Sequence, residues 1–398
     1  MKKLIATTAA TALLAGVANA EEIKIGVLLG FTGPIESTVA HMGPAAHLAI
    51  KEVSDSGLLL DGSTVVGVNG DTTCIDSAAA TAAAERLITS DGVKGIVGGD
   101  CSGVTGAVLN NVALPNGVVM ISPSATSPAL SHRNNEDNGL FFRTAPSDAR
   151  QGVVMAEILM EEGIDEVAVT YTNNDYGKGL ADSFQAAFEE IGGAVTMTAA
   201  HEDGKADYSA EVGALASAGG QRLVVAGYVD QGGAGIVRAA LDTGAFDTFH
   251  FPDGMMSDAL VENFGSEING STGQHPSPTA ELVERFKEVA AASGGDWEPT
   301  TPFTPESYDA AALILLAMQA AGTSDPNVYK DHIMDVANAP GEPIQAGELA
   351  KALEILADGG DVDYVGGTGV ELIEPGEAAG LYRQVLIKDG ENTTVQFR

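Results

Sequence analysis

The sequence predicts an α/β fold made of two similar lobes, each built on a parallel sheet with helices on both faces. Short strands rich in β-branched residues alternate with helical segments along most of the chain. This alternation restarts near Gln151, so that two runs of about 120 residues follow one another. The length of 398 residues and the hydrophobic content of 44% are enough for two cores of ordinary size.

The first run begins with the strand EIKIGVLL at 22–29, which ends at the turn cluster GFTGP. Its further strands are predicted at 64–68, 95–97 and 117–121. Helices are predicted near 43–53, at the alanine-rich segment 77–87 and near 102–112.

The second run repeats the pattern. Helices are predicted at 151–162, 178–191, 208–216 and 233–241, and strands at 166–170, 194–197 and 222–226. After Phe251 the alternation stops, and a long apolar helix is predicted at 308–321, with Thr304 as its N-cap and Pro305 at its first position. The chain ends in a predicted strand pair, 381–388 and 393–397, around Asp389-Gly390.

The first twenty residues have the composition of a secretory signal peptide. Lys2 and Lys3 precede an uncharged apolar stretch, and Ala18-Asn19-Ala20 supplies the small residues of a cleavage site. A membrane anchor is the alternative, but the apolar stretch is shorter than the ~20 residues that span a bilayer. We therefore expect export to the periplasm with cleavage after Ala20.

The charge balance excludes several partners. Twenty Lys and Arg residues against 55 Asp and Glu residues give a formal net charge of −35. Such a surface repels phosphate backbones and anionic lipid headgroups, so we expect neither nucleic-acid binding nor membrane binding.

Cys74 and Cys101 are the only cysteines. In an oxidising compartment an even pair predicts a disulfide, which would stabilise the fold by roughly 3–4 kcal/mol. A metal site is the competing interpretation, but two thiols without nearby histidines make a poor zinc site.

Motifs for catalysis and cofactor binding are absent from the sequence. Ser102 lies in the turn GGDCSG, which is not a G-x-S-x-G elbow. No phosphate-binding loop, dinucleotide fingerprint or histidine pair at metal-ligand spacing occurs. We therefore predict neither an enzyme nor a cofactor or metal.

Two segments favour binding of a small anion. Residues 98–102 and 122–127 each follow a predicted strand, at the sheet edge where α/β proteins bind ligands. Backbone N–H groups and small hydroxyl side chains there suit a carboxylate. Either segment alone could equally be an ordinary helix cap.

The order and spacing of several motifs resemble the branched-chain amino acid (Leu/Ile/Val-binding) type of periplasmic substrate-binding protein. These motifs are IKIGVLLGFTGP, GDTTC…GGDCSG, VVMISPSATSPALS, FFRTAPSD, NNDYGKGLADSF, VVAGYVDQGG, FHFPDGM and PFTPESYDAA. The resemblance implies a type I fold, in which three crossovers join the lobes and the ligand is held in the cleft. It also implies delivery to an inner-membrane ABC permease, and we expect a monomer.

The same resemblance implies roles for individual residues. Ser102 matches a serine on the ligand's α-carboxylate, Thr126 a threonine between carboxylate and ammonium, and Ser124 a backbone-contact position. In the second lobe, Tyr176 and Tyr228 match aromatic residues that close over the ligand, and Asp253 matches the acid that pairs with the α-ammonium. Thr38 and Phe303 match residues of the side-chain pocket.

Two positions depart from the family pattern. Ser124 is more polar than the usual residue, and Thr38 replaces an aromatic wall, with Glu36 close to it. Both differences argue against a purely aliphatic ligand. The alternatives are therefore a receptor of the same fold for an amide, urea, an aromatic acid or a short organic acid, and a ligand-sensing module.

The resemblance also implies a division into lobes. Residues 1–20 form the signal peptide, 21–143 and 276–370 the N-terminal lobe, and 144–275 and 371–398 the C-terminal lobe.

Overall fold

A computed structural model describes residues 20–133 and 137–398. Residues 1–19, which carry most of the predicted signal peptide, lie outside the described residues. Within the described ranges, no helix is both long enough and apolar enough to cross a membrane.

Sixteen strands form along the described chain. They are β1 (Glu22–Leu29), β2 (Thr64–Asp71), β3 (Gly95–Gly98), β4 (Met120–Ser122), β5 (Phe141–Arg143), β6 (Glu166–Thr172), β7 (Ala194–His201), β8 (Arg222–Ala226), β9 (Phe249–Phe251), β10 (Thr272–Pro276), β11 (Glu342–Gln345), β12 (Val362–Gly366), β13 (Leu372–Ile373), β14 (Glu377–Ala378), β15 (Tyr382–Lys388) and β16 (Glu391–Phe397).

The α-helices cover the sheet faces. They are α1 (Glu36–Ser56), α2 (Ser77–Glu85), α3 (Ser102–Val108), α4 (Leu114–Asn116), α5 (Asp148–Glu161), α6 (Asp175–Glu190), α7 (Ser209–Ala218), α8 (Gly232–Thr243), α9 (Asp258–Phe264), α10 (Ala280–Ser293), α11 (Thr304–Ala321), α12 (Pro326–Tyr329), α13 (Ile333–Ala337) and α14 (Leu349–Ala357). A π-helical turn, Leu109–Ala113, joins α3 to α4, and a second one, Arg86–Asp91, extends α2.

Two seven-stranded sheets organise the molecule, which confirms the predicted α/β class. Their strand orders are β13-β14-β5-β4-β3-β1-β2 and β16-β15-β10-β9-β8-β6-β7. Five adjacent strands of each sheet, β5-β4-β3-β1-β2 and β10-β9-β8-β6-β7, are parallel and have the same order in both lobes. The restart of the sequence pattern near Gln151 thus marks a second sheet of the same topology.

The chain passes between the sheets three times. It leaves the first sheet after Arg143, returns after Pro276, and crosses again between Ala378 and Tyr382. The predicted lobe boundary at residue 371 is therefore too early. Strands β13 and β14 belong to the first sheet because β14 pairs with β5, where Glu377 forms a buried ion pair with Arg143 at 2.5 Å.

Helix α11 is the core helix of the first lobe and is buried from Thr304 to Gln319. It begins one residue earlier than predicted. Phe303, not Thr304, takes the N-cap position, because Ser307 N–H donates to the Phe303 carbonyl at 3.0 Å. The Thr304 hydroxyl is buried and makes no hydrogen bond within the described chain, so it does not cap the helix.

Glu306 lies in the first turn of α11, beside the first crossover. Its carbonyl accepts a hydrogen bond from the Thr144 hydroxyl at 2.8 Å. Its side chain is buried, and Oε2 makes no hydrogen bond to any described residue. Burial, followed by the charge of Asp309, raises the pKa of Glu306 from 4.5 to about 8.

This shift predicts a pH-dependent stability. Between about pH 4.5 and 8 the folded protein keeps a proton on Glu306 that the unfolded chain releases, so the free energy of unfolding falls as the pH rises. We expect Glu306→Gln, which mimics the protonated group, to gain stability relative to the unsubstituted protein across this window. Urea denaturation of both proteins at about pH 5 and about pH 8.5 measures the difference. Parallel pH profiles would contradict the assignment.

Candidate functional site

A cavity opens between the lobes, at the point in each sheet where successive strands are added on opposite sides of the first strand. In the first sheet this point lies between β1 and β3, and in the second between β6 and β8. Open α/β sheets bind ligands beyond the carboxyl ends of the strands at such switch points. The space between its walls has a volume of about 380 Å³, which includes space open to solvent.

The first lobe's wall is organised by Asp100, which directly follows the strand-to-helix glycines of β3. Its Oδ2 accepts from Gly30 N–H at 2.5 Å, and its Oδ1 accepts from the Thr72 hydroxyl at 2.7 Å. Burial raises the pKa of Asp100, and these two hydrogen bonds oppose that effect. The carboxylate thereby ties together the ends of β1, β2 and β3, and both its oxygens are engaged.

A disulfide joins Cys74 to Cys101, as predicted. Cys101 lines the cavity and is the N-cap of α3, so Ser102 is the first residue of that helix. The Ser102 hydroxyl accepts from Ser127 N–H at 3.1 Å, which joins the two hydroxyl-rich segments predicted to bind an anion. Backbone N–H groups at the start of a helix favour negative charge, so this wall suits a carboxylate.

The second lobe contributes Tyr176 at the start of α6 and Asp253 after β9. The Tyr176 hydroxyl donates to Asp253 Oδ1 at 2.6 Å, and Gly254 N–H donates to the same oxygen at 2.8 Å. A Cβ at position 254 would lie 2.6 Å from the Gly227 carbonyl and 2.7 Å from the Tyr176 hydroxyl, so this close approach requires glycine. Asp253 Oδ2 is buried and has no hydrogen-bond partner in the described part of the chain.

Tyr228, which follows β8, stacks on Tyr176 with ring centroids 5.2 Å apart and an interplanar angle of 18°. Its hydroxyl accepts from Asn174 Nδ2 at 3.4 Å. Burial raises the pKa of both tyrosines well above the usual value, and burial also raises the pKa of Asp253. Both phenols therefore remain neutral at physiological pH.

Seven of the eight residues predicted for the site line this one cavity. They are Thr38, Ser102, Ser124, Tyr176, Tyr228, Asp253 and Phe303. The eighth, Thr126, is 1% exposed and is not part of the wall. Its carbonyl accepts from Asp148 N–H at 2.8 Å, and its hydroxyl makes no hydrogen bond to the described residues.

The two departures from the family pattern do not make the cavity polar. The Ser124 hydroxyl donates to the Asp100 carbonyl at 3.1 Å, and Glu36 is exposed and lies outside the wall. The remaining surface near Thr38 is apolar, from Ile35 and the Phe303 ring. No Lys, Arg or His occurs among the described residues that line the cavity.

Four further cavity residues, Ile35, Asp100, Cys101 and Gly254, had no individual role predicted, although Asp100 and Cys101 belong to the segment 98–102 that was predicted to bind an anion. Asp100 and Cys101 lie within the quoted motif GGDCSG, and Gly254 follows Asp253 in FPDGM. Because these three residues are adjacent in sequence to predicted ligand contacts, the sequence contained a signal that they lie near the ligand. Ile35 lies between the turn GFTGP and a helix whose start was predicted later, so nothing in the sequence placed it at the cleft.

The lobes touch across the mouth of the cavity. Ser37 N–H donates to Asp230 Oδ2 at 2.9 Å, and Asp230 N–H donates to the Pro34 carbonyl at 3.3 Å. The described structure is therefore a closed arrangement, in which a ligand in the cavity would contact both lobes.

Comparisons with known proteins agree with this architecture. A family model described as periplasmic binding protein matches residues 22–335. The Leu/Ile/Val-binding protein homolog 1 of Brucella melitensis is 30% identical over 335 residues, covering 82% of this chain and 86% of the relative.

Two solved structures share the fold. A leucine binding protein of Thermotoga maritima superposes with a TM-score of 0.76 at 24% identity, covering 94% of this chain and 98% of its own. A solute binding protein of an ABC transporter from R. palustris, in complex with benzoate, superposes with a TM-score of 0.73 at 17% identity, covering 94% and 96%. With a family model that spans most of its length and a two-lobed α/β structure around an interlobe cavity, this chain belongs to the periplasmic binding protein family.

Proposed function

We propose that this protein is a periplasmic receptor that binds a small aliphatic L-amino acid between its lobes and delivers it to an ABC permease. The observation that carries the proposal is Asp253 Oδ2, a buried carboxylate oxygen without a hydrogen-bond partner among the described residues, at the wall of the cavity. Burial of a carboxylate oxygen without a hydrogen bond is unfavourable, and a cationic donor such as an α-ammonium would compensate this cost.

The opposite wall supports the other end of a zwitterion. Ser102, at the start of α3, would donate to the α-carboxylate together with backbone N–H groups of the helix. Thr126 would act close to both charged groups, because its unpartnered hydroxyl is buried beside the segment that contacts Ser102. The Asp253 carboxyl group at one end of the cavity, and hydroxyl and backbone N–H donors at the other, would orient the amino acid.

The rest of the cavity supports an aliphatic side chain. Ile35 and Phe303 present apolar surface, and the Ser124 hydroxyl is occupied by the Asp100 carbonyl. Phe303 holds a left-handed backbone conformation, with φ of 67°, at the N-cap of α11. The name of the Brucella relative points to leucine, isoleucine and valine as the first ligands to test.

Export and transport complete the proposal. The predicted signal peptide would direct the chain to the periplasm and be removed after Ala20. There the closed, ligand-bound form would dock on the inner-membrane permease, as a monomer and without catalysing a reaction. Binding links the two lobes, so the presence of ligand becomes a change of shape that the permease can recognise.

A receptor for an aromatic acid is the second candidate. The stacked rings of Tyr176 and Tyr228 would offer an aromatic face, and the R. palustris neighbour is a complex with benzoate. However, the cavity wall carries the Asp100 and Asp253 carboxyls and, among its described residues, no basic side chain. A net anion would therefore be repelled more than a zwitterion.

A thermal-shift panel separates these candidates. Protein that has been unfolded and refolded, to remove any bound ligand, is melted with L-leucine, L-isoleucine, L-valine, other L-amino acids, benzoate and urea. A ligand at about 1,000 times its Kd stabilises the folded state by about 4.1 kcal/mol, which gives a clear rise in Tm. We expect this rise with aliphatic L-amino acids. A rise with benzoate or urea alone would reject the proposed ligand class.

A further inference from the structure

One glutamine side chain, that of Gln151, contacts two buried aspartates, the first through its carboxyl group and the second through its backbone. Gln151 Nε2 donates to Asp148 Oδ1 at 3.1 Å, and Gln151 Oε1 accepts from Asp253 N–H at 3.2 Å. Gln274 Nε2 also donates to Gln151 Oε1 at 3.2 Å, which fixes the orientation of the amide. Asp148 is fully buried at the start of α5, where the first crossover enters the second lobe.

Asp148 also supports a residue of the first lobe. Its N–H donates to the Thr126 carbonyl at 2.8 Å. The Asp148–Gln151 pair therefore joins Thr126 on one side of the hinge to Asp253 on the other. Asp148 is the last residue of the motif FFRTAPSD, which by itself indicates no role for it.

Each of the two carboxyl groups keeps one oxygen without a hydrogen-bond partner in the described chain, Asp148 Oδ2 and Asp253 Oδ2. The Thr126 hydroxyl faces Asp148 and lowers its pKa without reaching full hydrogen-bond geometry. Two buried carboxyl groups that belong to residues contacting the same glutamine, and that each keep an unpartnered oxygen, would carry a large free-energy penalty if both were ionised.

The charged and titratable groups around the pair offer little compensation. Arg143 lowers the pKa of Asp148, but its guanidinium is shared with Glu377 at 2.5 Å and with the carbonyls of Ala125 and Ser127 at 3.0 Å. The other such groups that interact with the pair or its neighbours are Tyr176, Tyr228, Tyr382 and Arg150.

Burial, followed by the charge of Asp253, raises the pKa of Asp148 well above its usual value, and burial raises the pKa of Asp253. Interacting carboxyl groups of this kind titrate as a pair, and the first proton to bind stays bound to a much higher pH than on an isolated group. Asp253 lines the cavity, so a cationic group of a ligand bound there would replace that proton.

We propose that Asp148 and Asp253 together carry one proton in the ligand-free protein, and that this proton leaves to solvent when the ammonium of an amino acid binds at Asp253. On binding, one carboxyl O–H bond breaks, the proton passes to water or buffer, and an ammonium N–H donates to the freed carboxylate. Asp148 is thus a positioning residue of the ligand site, acting through Gln151. This inference rests on the proposed amino acid receptor function.

The proton balance fixes the direction of the pH effect. Because ligand binding releases a proton, affinity rises with pH wherever the free pair is still protonated and becomes constant above that range. We expect up to about tenfold tighter binding per pH unit in the rising part. A ligand without a cationic group would release no proton.

Calorimetric titration of the full mature chain with L-leucine, L-isoleucine and L-valine tests this directly. Titrations at about pH 7 in phosphate and in Tris, which differ strongly in ionisation enthalpy, give the number of protons released per ligand. We expect the unsubstituted protein to release a measurable fraction of a proton, up to about one, for each ligand bound. Asp148→Asn should still bind but release none, whereas Asp309→Asn, at a buried carboxyl outside the cavity, should release as many as the unsubstituted protein.

Binding with equal heats in both buffers, from about pH 5 to pH 8, would overturn the inference while leaving the amino acid receptor intact. Absence of binding by all three amino acids would overturn both. The two-buffer result for the unsubstituted protein decides the question even if Asp148→Asn does not fold. Proton release that persists in folded Asp148→Asn would exclude Asp148 as a member of the pair.

Discussion

Asp253→Ala is expected to weaken L-leucine binding by at least about 100-fold, as measured by calorimetric titration. Removing one member of a buried charge pair costs about 2–5 kcal/mol, much of it because the remaining charge is left unpaired. Here the unpaired charge would be the ligand ammonium, enclosed by Tyr176, Tyr228 and the first lobe. The substitution removes an unpartnered buried oxygen but also the acceptor of the Tyr176 hydroxyl and of Gly254 N–H, so the melting temperature of the ligand-free variant is measured beside its affinity.

Asp230→Ala is the matched control for this substitution. Asp230 also belongs to the second lobe and contacts the first, through Ser37 N–H at 2.9 Å, but it does not line the cavity. Its loss should weaken binding only a few-fold, by about 0.5–1 kcal/mol, because it removes a partly exposed closing contact. If Asp253→Ala keeps an affinity within about threefold of the unsubstituted protein, Asp253 is not the ammonium acceptor.

Removal of the disulfide is expected to have the largest effect on stability. Cys74 and Cys101 are 27 residues apart, and the chain-entropy relation for a loop of that size gives about 3–4 kcal/mol. The double variant Cys74→Ser, Cys101→Ser should lose about this much free energy of unfolding in urea denaturation. It should also bind L-leucine more weakly, because Cys101 caps α3 at the residue before Ser102.

The reduced unsubstituted protein controls for the serine side chains. With the disulfide opened by dithiothreitol, its denaturation midpoint should match that of the double variant. An unchanged midpoint in both would mean that the cross-link adds nothing to stability. A lower midpoint with unchanged affinity would separate the disulfide from the ligand site.

Local signals in the sequence were sufficient for most of the fold. Strand β1 and strand β8 have the predicted bounds, because a run of β-branched residues between turn residues has few alternatives. Helix α1 was predicted from about residue 43 but begins at Glu36, with Pro44 inside it. Proline disfavours helix on its N-terminal side, and packing of α1 against α11 overrides this local preference.

Long-range contacts explain what local signals missed. The position of β14 depends on Arg143, more than two hundred residues away, which binds Glu377. The start of α11 depends on Phe303, whose left-handed backbone is unusual for a residue other than glycine. Neither effect leaves a periodic pattern in the sequence.

In the candidate site, too, some residues were indicated by the sequence and others depend on long-range contacts. The family resemblance indicated Ser102, Tyr176 and Asp253, and the structure places each of them shortly after a strand, where ligands of parallel sheets bind. The link from Asp148 through Gln151 to Asp253 spans about a hundred residues of the second lobe, so only the structure brings these groups together. For the same reason, the sequence could not show that the Ser124 hydroxyl is occupied by the Asp100 carbonyl.

The central claim is that Asp253 recognises the ammonium of an amino acid, and one thermodynamic cycle tests it most directly. L-leucine and isocaproate, which is leucine without its amino group, are each titrated into the unsubstituted protein and into Asp253→Ala. The account predicts that the unsubstituted protein prefers L-leucine by at least about 100-fold and that Asp253→Ala loses most of this preference. Equal affinity of the unsubstituted protein for both compounds, or an undiminished preference in Asp253→Ala, would contradict it.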